Sequence, residues 1–178
     1  SHPQLIDYAN SQHRSEFLDI YIAATCSFAV STQTGPDAVC LAFRQPVCYI
    51  DVSRFSQFFF GTKLAWWNPT ELWQTGSRLS LRDVLTGLVG NIKDPNDFIK
   101  YGVTQVRSDS AMITKLVAGF AESFEKQFVQ SESDEVVERS VQRSIEELMG
   151  IEGGQQFGRI TAVLNPAFVR QSGDWYLV

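Results

Sequence analysis

Apolar positions in this chain gather into short blocks separated by small and polar residues. Cys26–Val30 and Pro46–Ile50 are nearly continuous apolar runs, and Asp37–Phe43 between them carries apolar residues at helical spacing. Continuous runs of about five apolar residues, bounded by turn signals, fit strands buried on both faces. Strand, hydroxyl-rich turn, helix and strand then make a compact βαβ unit with parallel pairing. Upstream, Gln4–Tyr8 reads as a first strand and Asn10–Ser15 as a loop. Ser15 is placed to cap a helix over Glu16–Thr25, whose apolar face is Phe17, Leu18, Tyr21, Ile22 and Ala24.

Ser53–Thr75 breaks the pattern. It holds Phe55, Phe58, Phe59, Phe60, Trp66, Trp67 and Trp73, interrupted by Gly61 and Pro69. The expectation is a long ordered loop with short helical turns, functional or covered by another unit; a packed core under a loop is the competing account. Ser80-Leu-Arg-Asp83 reads as a helix cap, opening a helix to about Val89. Asn91–Asn96 reads as a turn, Phe98–Tyr101 as helical and Val103–Arg107 as a short strand. A cap at Ser108 or Ser110 opens a long helix over Ala111–Phe128. Ser133–Val137 opens another, to Met149, with Glu135 and Arg139 spaced as an ion pair. Gly150–Gly158 is a loop, and Ile160–Leu164 with Pro166–Arg170 closes the chain.

The resulting class is α/β: a Rossmann-like parallel sheet with flanking helices and a helical C-terminal tail. Residues 1–108 form the Rossmann-like core and residues 109–178 helices that pack on the same lobe. A doubly wound lobe needs about four or five parallel strands, and three or four are legible. The expectation is therefore the later portion of a two-lobed enzyme, or a truncated copy of one.

The 178 residues are enough for one domain with a sizeable core. Hydrophobic residues at 44% and charged residues at 20% are ordinary for a globular protein. Fifteen basic and 20 acidic residues give a net charge of −5, which argues against nucleic acid as the partner. No apolar run approaches the ~20 residues of a membrane span. Ser1-His-Pro-Gln4 shows neither the basic nor the apolar region of a secretion signal. The expected location is cytoplasmic, in solution or peripheral to a membrane. Cys26, Cys40 and Cys48 lie in apolar runs without a CxxC pair, as buried free thiols do; with only His2 and His13, no metal centre is expected.

The chemistry concentrates in Ser31-Thr-Gln-Thr-Gly-Pro-Asp37. A diphosphate needs N–H donors that it can approach closely. Gly35 removes a Cβ, and Ser31, Thr32 and Thr34 add hydroxyl donors. The helix start adds partial positive charge, and Pro36 fits a first-turn position that needs no N–H. The plain alternative is a capped turn that binds nothing.

The blocks Ile6-Asp-Tyr-Ala-Asn-Ser11, Arg14-Ser-Glu-Phe-Leu-Asp-Ile20 and Ser31-Thr-Gln-Thr-Gly35 resemble a family of bacterial two-lobed, GT-B-type glycosyltransferases of surface-polysaccharide synthesis. The resemblance continues through Phe43-Arg-Gln-Pro-Val47, Lys63, Leu79-Ser-Leu81, Asn165-Pro-Ala-Phe-Val169 and Asp174-Trp175. Asp19–Ser31 is similar, more weakly, to the donor region of fucosyltransferases. The resemblance implies a donor lobe that binds a nucleotide-sugar at the carboxyl ends of parallel strands, without a haem, flavin or nicotinamide. The glycan acceptor and the general base would then belong to an N-terminal lobe. Many such lobes carry a ribose-binding Glu in the helix after the Gly turn; here Asp37 is the candidate, and Val39 cannot serve.

Four further residues and one segment join the candidate site. Arg14, before the first helix, could neutralise a leaving diphosphate, or pair with Glu16 or Asp19 on the surface. Tyr8 could stack on the base or sit half-buried. Asp19 could orient the Ser31 turn or face solvent. Lys63 could reach a phosphate or a sugar carboxylate, or be solvated. The segment 55–73 could face the other lobe, a partner protein or a sugar. The expected function is nucleotide-sugar donor binding within a glycosyltransferase, with a non-catalytic nucleotide-sugar-binding or interaction module as the alternative. An epimerase or hydrolase of similar fold would need a base beside the donor, and the sparse histidines argue against it.

Overall fold

The computed structural model describes residues 3–53, 65–80, 83, 84, 89, 92, 94–125, 131–151 and 162–172. Its centre is a four-stranded, all-parallel sheet in the order β1-β2-β3-β7: β1 Ala29–Ser31, β2 Val47–Val52, β3 Ala65–Pro69 and β7 Val163–Leu164. The registers are Ala29 with Val47, Val47 with Ala65, and Trp66 with Val163. Helices α1 (Glu16–Thr25) and α2 (Gly35–Ala42) flank β1, and α2 supplies the β1-to-β2 crossover. The chain is therefore α/β with a Rossmann-like parallel sheet. β7 comes from beyond residue 109, so the last third of the chain adds a strand as well as helices.

β2 and β3 are buried along almost their whole length, as central parallel strands are. Val47, Cys48, Val52 and Ala65 have no exposed surface. Trp67 sits among the largest fully buried side chains. The long helix α4 (Ser110–Glu125) lays Leu116 and Phe120 against this sheet. The Phe120 ring meets Phe28 at 5.6 Å, Trp66 at 5.4 Å and Phe124 at 5.0 Å, all near edge-on. Each such side chain, fully buried, stabilises by about 1.5–3 kcal/mol. The last two helices, α5 (Glu132–Ile151) and α6 (Pro166–Ser172), are joined through Asp134, which is buried and accepts from Arg170 at 2.8 Å. Burial raises the Asp134 pKa, but the Arg170 and Ser131 hydrogen bonds and the Arg170 charge outweigh it and hold the carboxyl below its usual range.

A second, antiparallel sheet follows β3. Its order is β5-β4-β6, from β4 Glu71–Gln74, β5 Ser77–Arg78 and β6 Val103–Val106. Thr75 (φ 50°) and Gly76 (φ 79°) form the two-residue turn between β4 and β5, the positive-φ pair of a type I′ hairpin. Short helix α3 (Pro95–Lys100) leads into β6 through Gly102 at φ 63°.

The structure departs from the sequence expectations at four places. Gln4–Tyr8 forms no strand: Asp7 accepts from the Asn10 backbone and side chain, and the Tyr8 hydroxyl bonds both N and O of Ser15. Those local bonds give the segment an alternative to pairing. Within Ser53–Thr75, the described part is not a loop but β3 and β4; Trp66 and Trp67 are sheet core. Pro69 stands at the end of β3, where a missing N–H costs little. Residues 54–64, with Phe55 to Phe60 and Lys63, lie outside the described residues. The cap of α4 is Asp109, which accepts from Met112 N at 2.7 Å, rather than Ser108 or Ser110. Ser131, not Ser133, accepts from Asp134 N at the start of α5. Three other signals hold: Ser15 caps α1, Ser80 and Asp83 exchange hydrogen bonds as a capping box, and Glu135 meets Arg139. Helix α5 runs on to Ile151, and the remainder of the loop expected over Gly150–Gly158 lies outside the described residues.

Candidate ligand cleft

The turn Thr32–Thr34 leaves β1, Ser53 follows β2 and Thr70 follows β3, so all three lie at the carboxyl edge of the parallel sheet. The second sheet faces this edge. Between them is a cleft of about 360 Å³ lined by Thr32, Gln33, Thr34, Asp51, Ser53, Thr70, Gln105 and Arg107, with Ile92 and Phe98 as the apolar contribution. Strand order follows the chain in the described parallel sheet, so the cleft does not arise at a reversal of order. It arises because β4 turns back from the end of β3 and carries β6 across the opening.

The β1 turn is built around Asp37. Ser31 is buried, and its hydroxyl donates to Asp37 Oδ2 at 2.9 Å. It also accepts from Thr34 N and lies 3.3 Å from Thr34 Oγ1. Tyr49, 2% exposed on β2, feels the Asp37 charge; burial and then that charge raise its pKa far above the ordinary phenol value. Asp37 stands in the first turn of α2, where the helix dipole favours a carboxylate. One side of the helix start is therefore filled by the protein's own anion. The other side is open: a Cβ added to Gly35 would meet nothing within 4 Å, and Thr32 and Thr34 are exposed. Gln33 takes φ 62° and its Oε1 accepts from Ser53 N at 3.1 Å, tying the β1 turn to the end of β2.

The β2 end is irregular. The register slips between Tyr49 and Val52, and Asp51 takes φ 54°. The Asp51 carbonyl accepts from Thr70 Oγ1 at 2.7 Å. Its carboxylate accepts from Ser108 N at 3.1 and 3.2 Å and from Ser108 Oγ at 2.7 Å. Asn68 Nδ2, in turn, reaches Ser108 Oγ at 3.4 Å. Asn68 is 1% exposed, and its Oδ1 has no hydrogen-bond partner among the described residues. This chain of polar groups ties β2 and β3 to the segment that leaves β6.

Of the residues singled out in the sequence, Thr32 and Thr34 line the cleft, while Ser31 lies beneath it in the Asp37 cluster. Gly35 stands at the open side of the helix start. Arg14 and Asp19 are exposed around α1 and do not line the cleft. The Tyr8 hydroxyl is engaged by Ser15. Lys63 lies outside the described residues. Gln33, Asp51, Ser53, Thr70, Gln105 and Arg107 were not singled out. The available signal was period-two alternation: Val103, Gln105 and Arg107 fall on one face of a short strand.

No group of three or more His, Cys, Asp or Glu able to hold a metal occurs among the described residues, and no described helix is long and apolar enough to cross a membrane. Cys40 and Cys48 are buried and Cys26 half-buried, all as free thiols. No protein-family model, no curated protein and no solved structure matches the chain.

Proposed function

We propose that the cleft binds the phosphorylated part of a nucleotide-sugar, and that the chain is the donor-binding part of a GT-B-type glycosyltransferase of glycan or surface-polysaccharide synthesis. The observation that carries this reading is the cleft's position and lining: a hydroxyl- and amide-rich opening at the carboxyl edge of a parallel sheet, beside the open start of α2. Ligands of α/β sheets bind at that edge, and helix starts there accept phosphates. Its volume, about 360 Å³, is near the small end of ligand pockets, about 300–1,000 Å³. That suits a sugar phosphate or one half of a nucleotide-sugar, with the remainder extending along the open side. Thr32 and Thr34 supply hydroxyls, Gln105 an amide and Arg107 a guanidinium.

One observation favours a second reading, in which the chain binds the donor without catalysing transfer. Among the described residues Asp51 is the only carboxylate in the cleft lining, and both its oxygens already accept hydrogen bonds from Ser108. A proton acceptor for an attacking hydroxyl would then come from another part of the assembly. Calorimetric titration with UDP-, GDP-, dTDP- and CMP-sugars tests both. Binding of one class supports the donor site. Binding without sugar release or transfer to an added acceptor selects the second reading. Failure of every class to bind refutes both.

A further inference from the structure

The cleft lining holds one acid, Asp51, and one base, Arg107, yet the two form no ion pair among the described residues. The neighbouring residue explains this. Ser108 presents its backbone N–H and its hydroxyl to the Asp51 carboxylate, and Asn68 Nδ2 approaches the same hydroxyl. Asp51 is held from behind as well, by its left-handed backbone at φ 54° and by Thr70 on its carbonyl. A residue fixed at both main chain and side chain does not swing toward a nearby cation. Pinning Ser108 N also fixes the peptide plane that follows Arg107, and therefore the root of the Arg107 side chain. Arg107 itself is exposed.

We infer that Arg107 is the residue that takes the ligand's anionic group, and that the Asp51–Ser108 pair is a positioning device that keeps Arg107 unpaired. This rests on the proposed reading of the cleft as a ligand site. It also narrows the ligand class. The two charged lining residues sum to no net charge, and Asp37 adds a negative charge beneath the β1 turn. Such a lining favours a phosphate group of low charge, as in a diphosphate esterified at both ends, over a free triphosphate, whose extra charges meet no second cation of the lining among the described residues.

The test is a titration of the full chain with inorganic phosphate, followed by NMR at the Arg107 side-chain Nε–H, in wild type, Ser108→Ala, Asp51→Asn and Arg107→Gln. Phosphate is expected to move the wild-type Arg107 signal. Ser108→Ala removes the shortest hydrogen bond on the Asp51 carboxylate, leaving it held by the backbone N–H alone and freer to turn toward Arg107, and should weaken phosphate about threefold or more, whereas Asp51→Asn removes the competing charge and should bind about twofold tighter. Arg107→Gln should lose the response at the neighbouring amides. These opposite signs separate positioning from general damage, which would weaken both variants alike. Should Ser108→Ala fail to fold, the sign for Asp51→Asn decides alone. An Arg107 signal that ignores phosphate, or equal weakening in both variants, overturns the inference. A parallel titration with UDP-glucose, GDP-mannose and UTP keeps the two proposals apart. A sugar nucleotide that binds equally well to Arg107→Gln, or UTP bound more tightly than the sugar nucleotides, overturns this inference and leaves the donor reading standing. Phosphate at Arg107 with no nucleotide or sugar nucleotide bound does the reverse.

Discussion

Replacing Asp37 by Ala should be among the most damaging single changes near the cleft, although Asp37 is not a core residue. The carboxylate accepts from Ser31 Oγ at 2.9 Å, and its charge acts on the buried Tyr49 phenol. Hydrogen bonds to a charged group contribute about 1.5–3 kcal/mol each. The helix-start position adds about 0.3–1 kcal/mol. Ser31 keeps the Thr34 amide and hydroxyl as neighbours, so its loss is partial. Tyr49 is 2% exposed, and removing the Asp37 charge eases rather than opposes its ionisation, so it adds no further cost. Together these give a cost of about 2–4 kcal/mol for Asp37→Ala, and about 1–2 kcal/mol for Asp37→Asn, which keeps an acceptor but not the charge. Urea unfolding of the two variants beside wild type measures both, with unchanged slopes showing that the denatured state is comparable. A cost below about 1 kcal/mol for Asp37→Ala would mean that Asp37 is not the centre of the β1 turn, leaving the helix start free to take an external anion on both sides.

Three further outcomes follow from the same structure. Burial, helped by Cys26, pushes the Cys40 thiol from 9.0 to about 11, burial pushes Cys48 from 9.0 to about 12, and burial with Asp37 raises Tyr49 from 10.0. The folded chain keeps protons that the unfolded chain has released, so stability is full below pH 9 and declines as pH rises toward the folded values; urea midpoints at pH 8, 9 and 10 under reducing conditions should fall in that order, and a flat series would contradict it. Phe120→Leu should cost about 1.5–3 kcal/mol, because it removes three edge-on ring contacts at nearly constant volume; a loss under about 0.5 kcal/mol would mean that α4 does not pack on the sheet as described. Gly35→Ala should leave stability unchanged or raise it by about 0.5–1 kcal/mol, since its Cβ meets open space, while weakening any phosphate that approaches that side of the helix start. Equal ligand affinity in Gly35→Ala would remove Gly35 from the site.

Much of the fold was legible where local chemistry and burial agree. Ser15 marks the start of α1 through its own hydroxyl, and the two apolar runs around Asp37–Phe43 became β1 and β2 with α2 between. The aromatic stretch misled because Gly61 and Pro69 look like loop punctuation, while Trp66 and Trp67 belong to a strand buried on both faces. A strand of that kind lacks alternation, so periodicity cannot separate it from an apolar loop. The hairpin at Thr75-Gly76 carried a readable turn signal, yet its partner β6 lies far along the chain. Half of the cleft was hidden for the same reason. Thr32 and Thr34 follow their strand directly, whereas Gln105 and Arg107 reach the opening only through the pairing of β4 with β6. Asp51 resembled an ordinary strand terminus. Its role rests on a register slip and on a hydrogen bond to Ser108, 57 residues away.

The donor-binding proposal requires the opening between the two sheets to receive a sugar nucleotide. Backbone NMR of the wild-type chain, titrated with UDP-, GDP-, dTDP- and CMP-sugars, addresses that most directly. One class should shift Thr32, Thr34, Ser53, Gln105 and Arg107 together, at concentrations that leave Arg14 and Asp19 on α1 unmoved. Shifts confined to other surfaces, or none with any of the four classes, would contradict it.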